Sequence, residues 1–276
     1  MSRLPPALYI RHGLVSPTPF LDRIQGFYQR HAARALNTRP LTLDLPAPVV
    51  SFTLDDFPRS ALLTGGAILE QFGLRGTYYA SFGLMGLDAP TGPIFVRKDL
   101  PVLAARGHEL GCHTFDHCHS WNTTAQAFER SIIANRTALE ELMPGAAFRT
   151  FSYPISPPRP RTKRVVAERF SCARGGGQAF NAGTTDLNYL RAYFLEKARD
   201  SPDNVQRVID ANRAQRGWLV LATHDVCKAP TSFGCTPGFF EDVVRRAVDS
   251  GARILPVAEA WDSMFTSDRR GARGSC

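Results

Sequence analysis

From Pro48 onward, short apolar runs alternate with segments of helical period, and this alternation restricts the chain more than any other feature. Val49–Leu54 (VVSFTL) reads as a buried strand, and Trp218–Thr223 (WLVLAT) is the clearest buried strand of all. Gly76–Ala80, His108–His113, Phe148–Tyr153, Ser171–Arg174 and Arg253–Val257 supply further strands. Helices are predicted over Ala61–Phe72, Asp99–Arg106, Thr124–Leu142, Arg161–Phe170, Asn204–Arg216 and Phe239–Asp249. Ser60 is the expected N-cap of the first, and Gly73, Gly107 and Gly251 stand where a C-terminal cap prefers glycine. In the third, Phe128, Ile132, Leu139 and Leu142 share one stripe. Such alternation argues a parallel sheet with crossover helices. About seven units fit a closed or nearly closed (β/α) barrel better than an open Rossmann sheet. No GxGxxG follows the first strand. Gly175-Gly176-Gly177 lacks a following Gly-Lys-Ser/Thr, so it is expected to be a flexible loop and not a phosphate cradle.

The rest of the chain narrows the class. Its 276 residues are 43% apolar and 21% charged, ordinary globular usage with a sizeable core. No window reaches the roughly 18 uninterrupted apolar residues of a membrane span. Pro5, Pro6, Arg11 and Pro17 interrupt the start, which argues against a cleaved secretory signal and makes the cytoplasm the expected compartment. Residues 1–46 are Pro-rich and weakly patterned, and read as an N-terminal extension packed on a body at 47–266. A basic tail at 267–276 follows. The formal charge of +8 reads as solubility and solvated helix faces, since no nucleic-acid motif accompanies it. Cys112 and Cys118 bracket a histidine motif, but their spacing exceeds that of a structural zinc site, so they read as small buried thiols.

Polar residues mark the strand ends. Asp55-Asp56, His113, Arg174 and His224 all fall at or just beyond the C-terminal ends of predicted strands, where parallel barrels collect their active sites. Asp55-Asp56 directly follows an apolar strand, and Phe57-Pro58 turns the chain so that both carboxylates can lean into one bowl. His113-x-x-x-His117 is expected to put two imidazoles on one side of a helical turn, close enough to share a zinc ion. The zincin pattern needs Glu after the first histidine, and Thr114 stands there, so a base must come from elsewhere; Asp55 is available. His224 ends the WLVLAT strand, as a core residue, a ligand or a proton donor. Amide hydrolysis needs such a donor, and imidazole suits it.

Thr53-Leu54-Asp55-Asp56, His113-x-x-x-His117, Ser152-Tyr153-Pro154 and Leu219–His224 occur in the order of the motifs of the polysaccharide deacetylase (NodB-homology) family. The sequence resembles that family over roughly residues 48–260. The resemblance implies a deformed (β/α) barrel of about seven parallel strands that removes N-acetyl groups from aminosugars in an oligo- or polysaccharide. It implies a divalent metal, usually zinc, with cobalt as an alternative. Carried across, Asp56, His113 and His117 become the metal ligands, Asp55 the general base and His224 the general acid. The third motif, commonly Arg-x-Pro-Tyr, departs here: Ser152 and Ile155 stand where arginine and tyrosine are expected. The backbone N–H of Ile155 still serves the oxyanion. The arginine that orients the base is then Arg149 or Arg174, with Arg174 the better placed. The family's fourth motif is not visible near Gly175–Leu187, and Asp186 receives no role. The rival expectations are an enzyme acting on a small amide or imide, and a glycan-binding module without activity.

Overall fold

The computed structural model describes residues 19–198 and 201–265. Its centre is a parallel sheet built from β1 (Val49–Leu54), β2 (Thr77–Ala80), β3 (Glu109–Cys112), β4 (Thr150–Ser152), β5 (Cys172–Arg174), β6 (Ala192–Phe194) and β7 (Trp218–Thr223). The strands follow one another around the sheet as β6, β7, β1, β2, β3, β4, β5, all parallel. The chain then closes the gap between β5 and β6. Arg174 makes a parallel bridge to Leu190, and the Leu190 N–H donates to the Ala173 carbonyl at 2.8 Å. The result is a nearly closed barrel of seven parallel strands.

Its deformation has a local cause. A short β8 (Arg253–Ile254) pairs with β1 at Val49 and Val50, while β2 pairs with the same strand only at Thr53 and Leu54. One edge of β1 is thus shared between two partners, which splays the wall at its N-terminal end. Arg253–Val257 was expected as a full strand, but the strand stops at Ile254 and Val257 begins helix α8 (Val257–Phe265).

The period of two decides the layers. Val50, Phe52 and Leu54 of β1 and Leu219 and Leu221 of β7 point outward into one apolar cluster beneath the helices. Helix α7 (Pro237–Asp249) meets them there through Phe240, Val243 and Val244, with Phe52 and Phe240 edge to face at 5.8 Å. Val49, Trp218, Val220 and Ala222 point inward and form a second cluster with Cys172, Leu190 and α8 residues Val257 and Ala260. The remaining helices are α1 (Pro19–Ala35), α2 (Ala67–Gln71), α3 (Asp99–Ala105), α4 (Ala125–Leu142), α5 (Pro160–Ala167) and α6 (Pro202–Ala214). Thr124 caps α4 by accepting the Ala127 N–H.

Two expectations change. Residues 61–66 form a π-helical turn before α2, and Ser60 makes no cap bond. Glycine is needed there, because a Cβ on Gly66 would stand 2.9 Å from the Tyr78 hydroxyl. The N-terminal segment holds α1, a 17-residue helix, and Pro40–Thr42 pairs antiparallel with Thr184–Asp186. Residues 1–18 and the 267–276 tail lie outside the described residues. No described helix is long and apolar enough to cross a membrane.

Candidate active site

Neighbouring strand ends bring the site together. Leu54 and Thr223 are paired across β1 and β7, and the Asp55 N–H donates to the Thr223 carbonyl at 2.9 Å, so Asp55 and His224 leave adjacent strands side by side. His113 continues from β3, its N–H donating to the Ala80 carbonyl at 3.1 Å. Asp56, His113 and His117 then converge, with one ligand atom from each lying within 4.8 Å of the others.

The two histidines do not share a helical turn. Thr114 and His117 have φ of 60° and 50°, and the segment between them is an irregular loop. It is clamped to α4 by Ser131, whose hydroxyl accepts the N–H groups of Phe115 and Asp116 at 3.0 Å and donates to Asp116 at 2.9 Å. Asp56, Phe57 and Ile155 also carry positive φ, so five of the eight such non-glycine residues among the described residues sit on the loops that build this site. Left-handed backbone at ordinary residues costs about 1–3 kcal/mol each and persists where surrounding structure imposes it, characteristically at functional sites.

Hydrogen bonding tests whether a cation fits. The Nδ1–H of His113 donates to the Ser152 carbonyl at 2.8 Å, which leaves the lone pair of Nε2 facing Asp56. Asp56 Oδ1 lies 3.5 Å from that nitrogen and 3.1 Å from His117 Nε2, yet is aligned for a hydrogen bond with neither. Its Oδ2 accepts the Thr91 hydroxyl at 3.1 Å. Two acceptors facing each other in a buried place call for a cation. Ligands about 2.0–2.2 Å from a tetrahedral zinc stand about 3.3 Å apart, within the range found here. The residues fit a divalent metal ion.

Electrostatics agree. Burial pushes His113 down to about 4, against the pull of Asp55, so its ring is neutral and ready to ligate at pH 7. Burial alone would raise the Asp56 carboxyl, but the charge of His117 and contact with it hold it far below the usual range. For His117 burial works downward and is outweighed by Asp56, leaving its pKa raised.

Asp55 is 4% exposed and receives a charge-assisted hydrogen bond from the buried Arg174 guanidinium, which lies 4.9 Å over the Tyr79 ring. Arg149 points elsewhere and pairs with Asp262 at 2.8 and 2.6 Å. Ile155 is 57% exposed on the cavity wall. His224 donates from Nδ1 to the Phe233 carbonyl at 3.0 Å and lies between the Phe194 and Phe233 rings.

Asp55, Asp56, His113, His117, Ile155 and His224 line one cavity of about 680 Å³. Gly175–Gly177 forms part of its surroundings: Gly176 and Gly177 line it, and a Cβ on Gly175 would strike the Tyr189 ring at 2.2 Å. Asp186 has a structural task, pairing with the buried Lys163 at 2.7 Å. Cys112 is buried beside Asn135, whereas Cys118 is only half-buried. Sequence reasoning missed several lining residues. Glu196 has a buried Oε2 without a hydrogen bond, and burial raises its pKa. Arg30, Arg34, Tyr189, Phe194 and Lys197 were missed as well. The only signal for Glu196 was a carboxylate just past a three-residue strand, too short to recognise by period.

Residues 42–170 match the family model for polysaccharide deacetylase. That match supports a NodB-homology polysaccharide deacetylase. It is similar to a chitin deacetylase from the fungal pathogen Colletotrichum lindemuthianum, at 16% identity and TM-score 0.57, over 81% of this chain and 91% of that one. A CE4-family pseudoenzyme from Bacillus anthracis has the same fold, at 12% identity and TM-score 0.54, over 79% of this chain and 66% of that one. A gellan lyase from a Bacillus species is 24% identical over 242 residues, 80% of this chain. The chain spans only 9% of that relative's length. The family acts on carbohydrate and is metal-dependent. Because it also includes pseudoenzymes, activity must be argued from the residues that this chain retains.

Proposed function

We propose that this protein is a metal-dependent hydrolase that removes N-acetyl groups from an aminosugar-containing oligo- or polysaccharide, chitooligosaccharide-like, and releases acetate. The observation that carries this reading is the opposed pair of acceptors, Asp56 Oδ1 and His113 Nε2, next to a carboxylate already held by an arginine. Zinc suits two imidazoles and one carboxylate. When bound by Asp56, His113 and His117, it would supply a Lewis acid that polarises the acetamide carbonyl and makes water more acidic.

The side chains divide the remaining work. Arg174 holds Asp55 Oδ1, leaving the other carboxylate oxygen to take the proton of the attacking water. The Ile155 N–H donates to the oxygen that becomes negative as the carbonyl turns tetrahedral, a contact worth about 2.7–4 kcal/mol where measured elsewhere. The Phe233 carbonyl fixes the His224 ring through Nδ1, so Nε2 can deliver a proton to the departing amine. The carbon–nitrogen bond breaks as that proton arrives, giving acetate and a free aminosugar. Retention of the base, the acid and all three ligands supports an active enzyme over a binding module.

The test is acetate release from a panel of N-acetylglucosamine oligomers with zinc, cobalt or EDTA added. Release with either metal and loss with EDTA is the expected result. No acetate from any oligomer under any metal would remove this reading.

A further inference from the structure

The proposed reaction leaves two guanidiniums on the same cavity without a task, and a third cation, Lys197, lies 5.3 Å over the Phe194 ring. Arg30 and Arg34 stand one turn apart on α1, Lys197 follows β6, and all three line the cavity. Two like charges at i and i+4 destabilise an isolated helix. The ion pairs among the described residues use other arginines and Lys163. Of the cavity's acids, Asp55 pairs with Arg174 and Asp56 lies against the imidazoles, while Glu196 keeps one buried oxygen without a hydrogen bond.

The helix end that carries Arg30 and Arg34 is fixed, although both arginine side chains are exposed. Lys163 is completely buried, and its ammonium donates to the carbonyls of Ala33 at 2.6 Å and Leu36 at 2.8 Å while pairing with Asp186. Asn37 donates to the Pro160 carbonyl at 2.7 Å, and Asn188 donates to the Asn37 carbonyl at 2.9 Å. The last turn of α1 is thereby fastened to the barrel. Both guanidiniums act on the Tyr189 phenol, which burial raises and their charge lowers.

We propose that the cavity selects a saccharide bearing an oxyanion, a carboxylate or phosphate, on a sugar near the N-acetylated one, and that Arg30 and Arg34 bind it. The planar fork of guanidinium matches such groups in charge and geometry. The proposal rests on the deacetylase reading for the bond that is cleaved, but the anion site is measurable without turnover.

The experiment compares three ligands on zinc-reconstituted protein: a neutral N-acetylglucosamine oligomer, an alternating N-acetylglucosamine–glucuronate oligomer, and an N-acetylglucosamine oligomer carrying a phosphate monoester. Both binding by calorimetry and acetate release are read. Tighter binding of an anionic oligomer is expected, with Arg30→Ala and Arg34→Ala each weakening it about tenfold or more. For the anionic oligomer KM should rise with kcat held within about twofold, since uniform binding alone is lost. The uronate and phosphate arms identify which oxyanion is preferred, and preference for either supports the site. Arginine-dependent binding without acetate would keep the anion site and overturn the deacetylase reading. Equal affinity for neutral and anionic oligomers, or affinity unchanged by both substitutions, would overturn the anion site. If a variant misfolds, the wild-type protein still decides: added salt should weaken binding of the anionic oligomer and leave the neutral one unchanged. Equal salt response would count against the proposal.

Discussion

The two ends of the barrel each hold a carboxylate, half-buried at one and buried at the other, and they treat it in opposite ways. At the N-terminal end, Glu109 of β3 accepts the hydroxyls of Thr77 and Thr150, from the two neighbouring strands, and the Ala258 N–H of α8. At the C-terminal end, Asp56 keeps one oxygen aligned with no donor and turned toward two imidazoles. A satisfied acid closes a structure, whereas an unsatisfied buried one between lone pairs awaits a cation. The contrast extends to the backbone, where positive φ gathers on the loops of the open end.

The largest effect that separates the ends is catalytic. Asp55→Asn should lower turnover by about 100- to 10,000-fold with bound zinc retained, whereas Glu109→Gln should stay within about twofold of wild type. Acetate release with metal content measured on the same samples checks both. Retained activity in the metal-loaded Asp55→Asn protein would remove that residue as the base. Next comes the buried cation that fastens α1. Lys163→Met leaves Asp186 without its partner and should cost about 3–5 kcal/mol in denaturant unfolding.

A smaller effect addresses the two acids directly. Zinc at one hundred times its dissociation constant should stabilise wild type by about 2.7 kcal/mol. Asp56→Asn should abolish that gain. Glu109→Gln should keep it, while losing about 1–3 kcal/mol in the metal-free protein through its orphaned donors. Thermal unfolding with and without zinc reads both, and a zinc response unchanged in Asp56→Asn would erase the distinction between the ends.

The smallest effect depends on pH. Burial raises the Glu109 carboxyl, offset in part by its three donors. The folded protein therefore binds this proton more tightly than the unfolded chain. The stability it contributes is present at low pH and is lost as pH rises through the raised value. The stability of wild type relative to Glu109→Gln should accordingly be greater near pH 4.5 than near pH 7. A difference that grew with pH would contradict the assignment.

The strand ends were legible in the sequence because burial writes itself as apolar runs, and the residues that interrupt those runs mark the mouth. That is how Asp55, Asp56, His113, Arg174 and His224 came forward together. The choice of Arg174 over Arg149 followed from the same rule; in the structure Arg174 pairs with Asp55 and Arg149 with Asp262. Helical spacing misled for His113 and His117, because positive φ at Thr114 and His117 is a tertiary constraint with no periodic trace. Helix α1 was hidden by a Pro-rich, polar N-terminal segment, and what holds its last turn is Lys163, more than a hundred residues away. Glu196 follows a strand too short to show a period, and Arg30 and Arg34 join the cavity only through that distant fastening. The Arg253–Val257 run was apolar enough for a strand, but Val257 is spent on α8, which lines the inner cluster.

The most direct test is anomalous diffraction at the zinc edge on crystals of the reconstituted protein, paired with metal analysis of the same preparation. One strong peak bounded by Asp56 Oδ1, His113 Nε2 and His117 Nε2, at one zinc per chain, is the predicted outcome. A fully active preparation without bound metal, or a peak that leaves those three atoms empty, would contradict the account.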